Sequence, residues 1–136
     1  MRDLALRIVW AYLGRPYIWG GDNPAGFDCS GLVIEALKSV GVLPRNGDWT
    51  ASGLFARFGG IGQAAARPGD LVFWDEPIVH VEMIASLGPP TLAIGASGGG
   101  SWAFDVEQAY QRGAFVKVRP IATRGGLMRF SNPYQD

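Results

Sequence analysis

The sequence predicts an α+β fold, in which helical patterns come first and a series of short strands follows. Apolar residues recur at helical spacing in the first sixty residues, and short β-type runs separated by Gly- and Pro-rich turns follow from residue 71. The chain has 136 residues, of which 48% are hydrophobic and 18% charged. This length and composition suit one domain with a buried core, which we assign to residues 1–136.

The chain opens with residues 3–13, which are predicted to form an amphipathic helix. Leu4, Ile8 and Tyr12 recur at intervals of four on one side, and charged residues occupy the other. Residues 14–27 are rich in glycine and proline and are predicted to form a loop. Because aromatic residues interrupt this loop, we expect it to be packed and to form one wall of a cleft.

A second helix is expected to begin after Asp28 and to end near Gly41. Aspartate is a favoured N-cap because its carboxylate accepts the free amides of the first turn, and glycine is common just past a helix end. A third, short helix is expected from a cap at Thr50 to about Phe58.

The second half of the chain is predicted to form an antiparallel meander. Turn sequences at residues 75–77 and 87–90 separate the first three of its apolar or alternating runs. From Arg124 onward there is no clear period, so no element is predicted there. The predicted strands are Leu71–Trp74, Ile78–Ser86, Thr91–Ser97 and Ala114–Ile121.

Composition argues against several classes of function. Twelve basic and twelve acidic residues balance, which argues against a nucleic acid bound mainly by charge. A single cysteine cannot form an internal disulfide, and one cysteine with one histidine falls short of a typical zinc ligand set. We therefore expect no metal and no cofactor. No apolar run is long enough to predict a membrane span.

The only cysteine, Cys29, lies at the predicted start of the second helix. There the helix dipole and the unpaired amides of the first turn are expected to lower the pKa of the thiol, and the thiolate is the reactive form. The alternative is that Cys29 is a small, buried apolar residue.

The only histidine, His80, lies within a predicted strand. Strand alternation places Ile78, His80, Glu82 and Ile84 on one face. A cysteine nucleophile needs a base that titrates near neutral pH, and histidine supplies one. The sequence thus favours a Cys–His pair that is distant in the chain and adjacent in space, although a strand histidine with a purely structural partner is the alternative.

Several motifs together resemble the NlpC/P60 cell-wall peptidases. Residues 14–21 read G-x-P-Y-x-W-G-G, residues 26–32 read G-F-D-C-S-G-L, and P-G-D-L-V-F-W and V-H-V follow over 68–74 and 79–81. The resemblance implies a papain-like α+β fold, in which the helix carrying the nucleophile packs on an antiparallel sheet carrying the base. It also implies hydrolysis of peptidoglycan stem peptides, commonly at the γ-D-glutamyl–diamino-acid bond.

The resemblance assigns roles to individual residues. Cys29 matches the nucleophile and His80 the base. Tyr17 matches a tyrosine that helps to bind substrate or the oxyanion, with packing as the alternative role. Asp28 and Ser30 match positions that meet the free amine of the stem peptide, and Asp28 can also be a plain N-cap.

The sequence departs from the family at two positions. The family usually has a third polar residue, often histidine, where this chain has Gly95, and it usually has glycine where this chain has Glu82. Glu82 lies two residues after His80 on the same strand face, with the Cβ atoms about 6–7 Å apart. We hypothesise that Glu82 replaces the missing third residue. Alternatively, Glu82 is solvated, and a backbone carbonyl or a water orients His80.

Two rival functions stay open. One is a papain-like amidase or acyltransferase acting on another amide or on a lipid, and the other is a non-catalytic phage-tail or wall-binding module. The N-terminus shows no signal-peptide pattern. The chain is therefore expected to reach the cell wall or periplasm through a phage, a secretion system or lysis, or else to be a domain cut from a longer chain. The arginines considered for binding substrate carboxylates, with solvated surface as the alternative, are Arg15, Arg45, Arg57 and Arg112.

Overall fold

The computed structural model describes residues 1–15, 22–23, 26–97 and 115–136. Tyr17 and Arg112, both considered above, lie outside these ranges. Within them, the helices are α1 (Arg2–Ala11), α2 (Cys29–Ser39) and α3 (Ala51–Phe58). No helix in the described part of the chain is both long and apolar enough to cross a membrane.

The strands form a small hairpin and a larger sheet. The hairpin pairs β1 (Asp22–Asn23) with β2 (Gly26–Phe27) inside the segment that the sequence predicts as a loop. The sheet is antiparallel, with strand order β6-β5-β4-β3-β7. Its strands are β3 (Leu71–Trp74), β4 (His80–Ser86), β5 (Leu92–Ser97), β6 (Phe115–Pro120) and β7 (Met128–Ser131).

The predicted α+β architecture is confirmed, with the helices first and an antiparallel meander after them. The largest differences in boundary are that α1 ends at Ala11 and that β4 begins only at His80. Ile78 therefore precedes the strand and packs with the core on the helix side, not beside His80. After Arg124, where the sequence shows no clear period, β7 forms by pairing with β3. Four residues are too few to show a period.

The sheet has an apolar core on each side. The larger core lies between the sheet and the helices, where α2 packs against β4 and β5. Leu32 of α2 and Val81 of β4 are both fully buried there. The smaller core lies on the opposite face, where Trp74 and Ile84 pack with Ile121 from the short helical turn after β6. Packing of α2 on β4 holds the helix that begins with Cys29 against the strand that begins with His80.

Leu32→Ala tests this packing. We expect the variant to lose about 2–5 kcal/mol of unfolding free energy, because truncating a fully buried leucine removes apolar contacts and leaves a cavity. Chemical denaturation monitored by tryptophan fluorescence measures the loss. Leu4→Ala, the same change at a half-exposed position of α1, is the control and is expected to stay within about 0.5 kcal/mol of the parent. Equal losses in both variants would contradict the packing described.

Candidate active site

The start of α2 positions Cys29, as the sequence predicts. Asp28 is the N-cap, and its carboxylate accepts a hydrogen bond from the Gly31 amide at 2.6 Å. The Ser30 hydroxyl donates to the same carboxylate at 3.4 Å. The N-cap role of Asp28 is therefore confirmed, and contacts of Asp28 and Ser30 with a substrate amine stay predictions. Tyr17 lies outside the described residues, so its role also stays a prediction.

The Cys29 thiol faces the beginning of β4. The backbone amides of Val81 and Ser30 form hydrogen bonds that favour its thiolate form. Val81 directly follows His80 in β4. The only cysteine of the chain is thus hydrogen-bonded to the residue next to its only histidine, where α2 packs on the sheet.

Burial decides the protonation state of the thiol. The pKa of Cys29 is raised to about 11, mainly by burial and less by the nearby charge of Asp28, against the lowering effects of the two amides and of Arg124. The predicted lowering of the Cys29 pKa is therefore wrong for the protein without substrate. A helix start favours a thiolate, but loss of solvent disfavours any charged form, and here that loss is the larger effect. Cys29 rests as a neutral thiol.

His80 is held by Glu82, in the contact that the sequence suggested. The ring Nε2 lies 2.6 Å from a carboxylate oxygen of Glu82, and the two residues are 5% and 2% exposed. A carboxylate at Nε2 orients the ring and leaves Nδ1 as the nitrogen that can take a proton from the thiol. The geometry is that of a base with an orienting partner.

Burial also lowers the pKa of His80, and the hydrogen bond and charge of Glu82 oppose this shift. The charges of Arg124 and Arg119 lower the pKa further. His80 is therefore a neutral imidazole at neutral pH, as a base must be before it accepts a proton. Because the thiol is also protonated, both groups are uncharged at rest. Charges would appear on them only if the proton moved from the sulfur to the imidazole.

Gly95 accommodates the Glu82 side chain. The pairing of Met83 with Ile94 continues along β4 and β5, so that Glu82 lies opposite Gly95. A Cβ atom added to Gly95 would lie 2.4 Å from Cγ of Glu82. The carboxylate of β4 thus occupies the space that a side chain at position 95 of β5 would need. The two departures from the family pattern are physically linked.

Aromatic and basic side chains surround this pair. The Trp74 indole lies 5.3 Å from the His80 ring, and the Arg124 guanidinium lies 5.7 Å from the centre of the Trp74 ring. Arg119 places a guanidinium nitrogen 3.7 Å from the Glu82 carboxylate. Arg124 is not among the arginines that the sequence singles out, because only the path of the chain after β6 brings it to Trp74. Within the described ranges, no group of three or more His, Cys, Asp or Glu side chains is arranged to hold a metal ion.

Comparison with known proteins supports the resemblance. A model of the NlpC/P60 family matches residues 14–118. The chain belongs to the NlpC/P60 family. The probable endopeptidase p60 of Listeria monocytogenes is 42% identical over 80 residues, which are 57% of this chain and 16% of that protein. The chain thus spans only about a sixth of the length of this relative.

Solved structures match over almost the whole chain. The NlpC/p60 domain of the peptidoglycan hydrolase SagA has a TM-score of 0.72 and 28% identity, with 97% of this chain and 99% of that chain covered. RipD of Mycobacterium tuberculosis, described as a non-catalytic NlpC/p60 domain protein, has a TM-score of 0.69 and 21% identity, with 96% and 95% covered. The likeness to RipD shows a common fold alone. The papain-like NlpC/P60 fold implied by the sequence motifs is confirmed.

Gly95→Ala tests the packing between β4 and β5. The added methyl group is expected to displace the Glu82 side chain, to weaken its bond to His80 and to cost about 1–3 kcal/mol of unfolding free energy. The pKa of His80 should fall, because the Glu82 contact raises it. Because the chain has one histidine, an NMR titration reports this pKa directly. Gly62→Ala, where an added Cβ meets no atom within 4 Å, is the control. An unchanged His80 titration in Gly95→Ala would contradict the contact.

Proposed function

We propose that this chain is a cysteine endopeptidase that hydrolyses peptidoglycan stem peptides at the γ-D-glutamyl–diamino-acid bond. The observation that carries the proposal is the ordered set of Cys29, His80 and Glu82: a thiol at a helix start, a neutral imidazole and a buried carboxylate bonded to the far side of the ring. Membership of a family that includes peptidoglycan hydrolases supplies the substrate class. The cell wall is accordingly the proposed place of action.

The proposed reaction begins with transfer of the Cys29 proton to Nδ1 of His80. The sulfur attacks the carbonyl carbon of the γ-D-glutamyl group, and the carbonyl oxygen becomes an oxyanion that the Cys29 backbone amide can stabilise. Collapse of this intermediate breaks the C–N bond, while His80 returns the proton to the leaving amine. A thioester between Cys29 and the glutamyl group remains.

Hydrolysis of the thioester completes the cycle. His80, neutral again, takes a proton from water, the resulting hydroxide adds to the thioester carbonyl, and the C–S bond breaks. The protonated imidazole returns its proton to sulfur, which restores the neutral pair. Glu82 stabilises the imidazolium in both halves of the reaction and keeps the ring in place, as carboxylates do in related triads. It is a positioning residue, because it acts through His80.

Digestion of purified muropeptides tests the function. We expect cleavage of the γ-D-glutamyl–diamino-acid bond, seen as two new fragments by mass spectrometry, and its loss in Cys29→Ala because the nucleophile is gone. Ser30→Ala is the matched control and is expected to leave some cleavage, since Ser30 supplies no proton to the reaction. Cleavage at another amide would favour the amidase alternative. Binding without Cys29-dependent cleavage of any muropeptide would overturn the proposal in favour of a wall-binding module.

Glu82→Gln tests the positioning role. We expect kcat to fall about 10- to 100-fold, the range seen when partners that orient a functional imidazole are removed. The acid limb of kcat/KM should also move to lower pH, because Glu82 raises the pKa of His80 and glutamine carries no charge. A pH–rate profile measures both effects. If Glu82 had only a structural role, the acid limb of kcat/KM would not move in Glu82→Gln.

Two further variants sharpen this test. Glu76→Gln removes an exposed carboxylate that pairs with Arg129, and it is expected to leave the profile unchanged. The double variant Glu82→Gly with Gly95→His moves the polar partner from β4 to β5 and should recover part of the lost activity. No recovery in a folded double variant would mean that the two positions are not interchangeable.

The route by which the chain reaches the cell wall stays a prediction from the sequence. A phage, a secretion apparatus and lysis are the candidates.

A further inference from the structure

We propose that Arg124 binds the α-carboxylate of the γ-linked glutamyl residue and makes the site selective for stem peptides in which this group is an acid and not a carboxamide. The inference rests on the proposed function and extends it to a specificity-determining residue. It follows from the position of Arg124, from its lack of a carboxylate partner and from the chemistry of a γ-glutamyl bond.

Arg124 is separated from His80 by the indole ring of Trp74. Its guanidinium lies against the indole of Trp74, and the His80 ring lies against the same indole. Trp74 is only 1% exposed, whereas Arg124 is partly exposed, so the guanidinium lies between the indole and solvent. A cation in this position is available to an anionic group of a substrate held beside His80.

The charge of Arg124 reaches both catalytic groups. It lowers the pKa of Cys29 and also that of His80. Because Coulomb interactions weaken with distance and with solvent, this influence agrees with the position of the guanidinium on Trp74, whose indole also lies against the His80 ring. Among the arginines considered from the sequence, Arg57 offers a useful contrast. Arg57 lies in α3 and stacks on Trp49, and it is not among the leading causes of either shift.

Among the described residues, Arg124 lacks the carboxylate partner that four other arginines have. Its Nε is buried without a hydrogen-bond partner, and no carboxylate in the described part of the chain forms an ion pair with it. A buried donor without a partner is costly, so it is a place where a ligand oxygen gains a hydrogen bond. The arginines that do have carboxylate partners are Arg2, Arg67, Arg119 and Arg129.

A γ-glutamyl substrate carries the complementary group. Its reacting carbonyl belongs to the side chain, so its α-carboxylate is free and is separated from that carbonyl only by two methylenes and Cα. With the carbonyl carbon at the sulfur of Cys29, this carboxylate falls beside the reacting centre. Arginine pairs with carboxylates through two parallel N–H···O bonds, which a neutral carboxamide cannot match. The preference for an acid follows from this pairing.

The alternative role for Arg124 is to cover Trp74 without touching substrate. That role predicts the same loss of activity on every substrate when Arg124 is replaced. A contact with the carboxylate predicts a loss only on the acid. The comparison of two substrates therefore separates the two roles, even where a replacement also lowers stability.

The test uses two synthetic stem peptides that differ only in having an α-carboxylate or an α-carboxamide on the glutamyl residue. We expect the parent enzyme to prefer the acid by at least about tenfold in kcat/KM, the value of one hydrogen bond to a charged group. Arg124→Gln should lose this preference because its kcat/KM falls on the acid and not on the carboxamide. Arg124→Lys should keep part of the preference. Arg57→Gln is the matched control, since it removes a guanidinium stacked on a different tryptophan, and it should keep the preference.

Binding provides the second measurement. Calorimetry with Cys29→Ala, alone and combined with Arg124→Gln, compares the Kd of the two peptides without turnover. If Cys29→Ala binds the acid more tightly than the carboxamide, and the added Arg124→Gln change removes this difference, the inference is supported. This holds even if the parent enzyme cleaves neither peptide and the proposed reaction is wrong. If the parent enzyme has the same kcat/KM and the same Kd for the acid and the carboxamide, the inference is overturned. Cys29-dependent cleavage, and with it the proposed function, is not affected by that result.

Discussion

The buried hydrogen bond between His80 and Glu82 is the interaction on which the site depends. A carboxylate that is 2% exposed is costly unless it is paired, and here His80 and the nearby Arg119 compensate it. Without Glu82, the imidazole would lose the only partner among the described residues that opposes the effect of burial on its pKa. The bond also occupies Nε2 and leaves Nδ1 as the ring nitrogen without this partner. Position, tautomer and basicity of the imidazole therefore have one common cause.

The same burial explains why Cys29 and His80 are both neutral at rest. Removal from water raises the pKa of Cys29 and lowers that of His80, so that each shift favours the uncharged form. The groups that favour charge are the Val81 and Ser30 amides at the sulfur and Glu82 at the imidazole. In the proposed reaction these groups gain importance once the proton has moved from sulfur to the imidazole, because only then is there a thiolate and an imidazolium to stabilise. Pre-placed dipoles of this kind lower the cost of charge separation during a reaction.

Much of this arrangement could be predicted from local sequence. The cap at Asp28 and the helix start at Cys29 follow from the preferences of a few adjacent residues, and the strand face shared by His80 and Glu82 follows from alternation. Properties that depend on distant parts of the chain could not be predicted. Burial of Cys29 depends on how α2 packs on the sheet, and the pairing of β7 with β3 joins segments far apart in sequence. Arg124 reaches Trp74 only through the turn that follows β6.

The exchange between Glu82 and Gly95 shows why chain position is a poor guide to the third residue of such a site. Adjacent antiparallel strands place residues 82 and 95 opposite each other, so a carboxylate from either strand can enter the same space beside the imidazole. Only one of the two positions can carry a side chain, since a Cβ at Gly95 would collide with Glu82. A glycine where a relative has a polar residue is therefore not by itself a sign of lost catalysis. The question is whether the opposite residue supplies the missing polar atom, and here a carboxylate oxygen of Glu82 lies 2.6 Å from the ring nitrogen of His80.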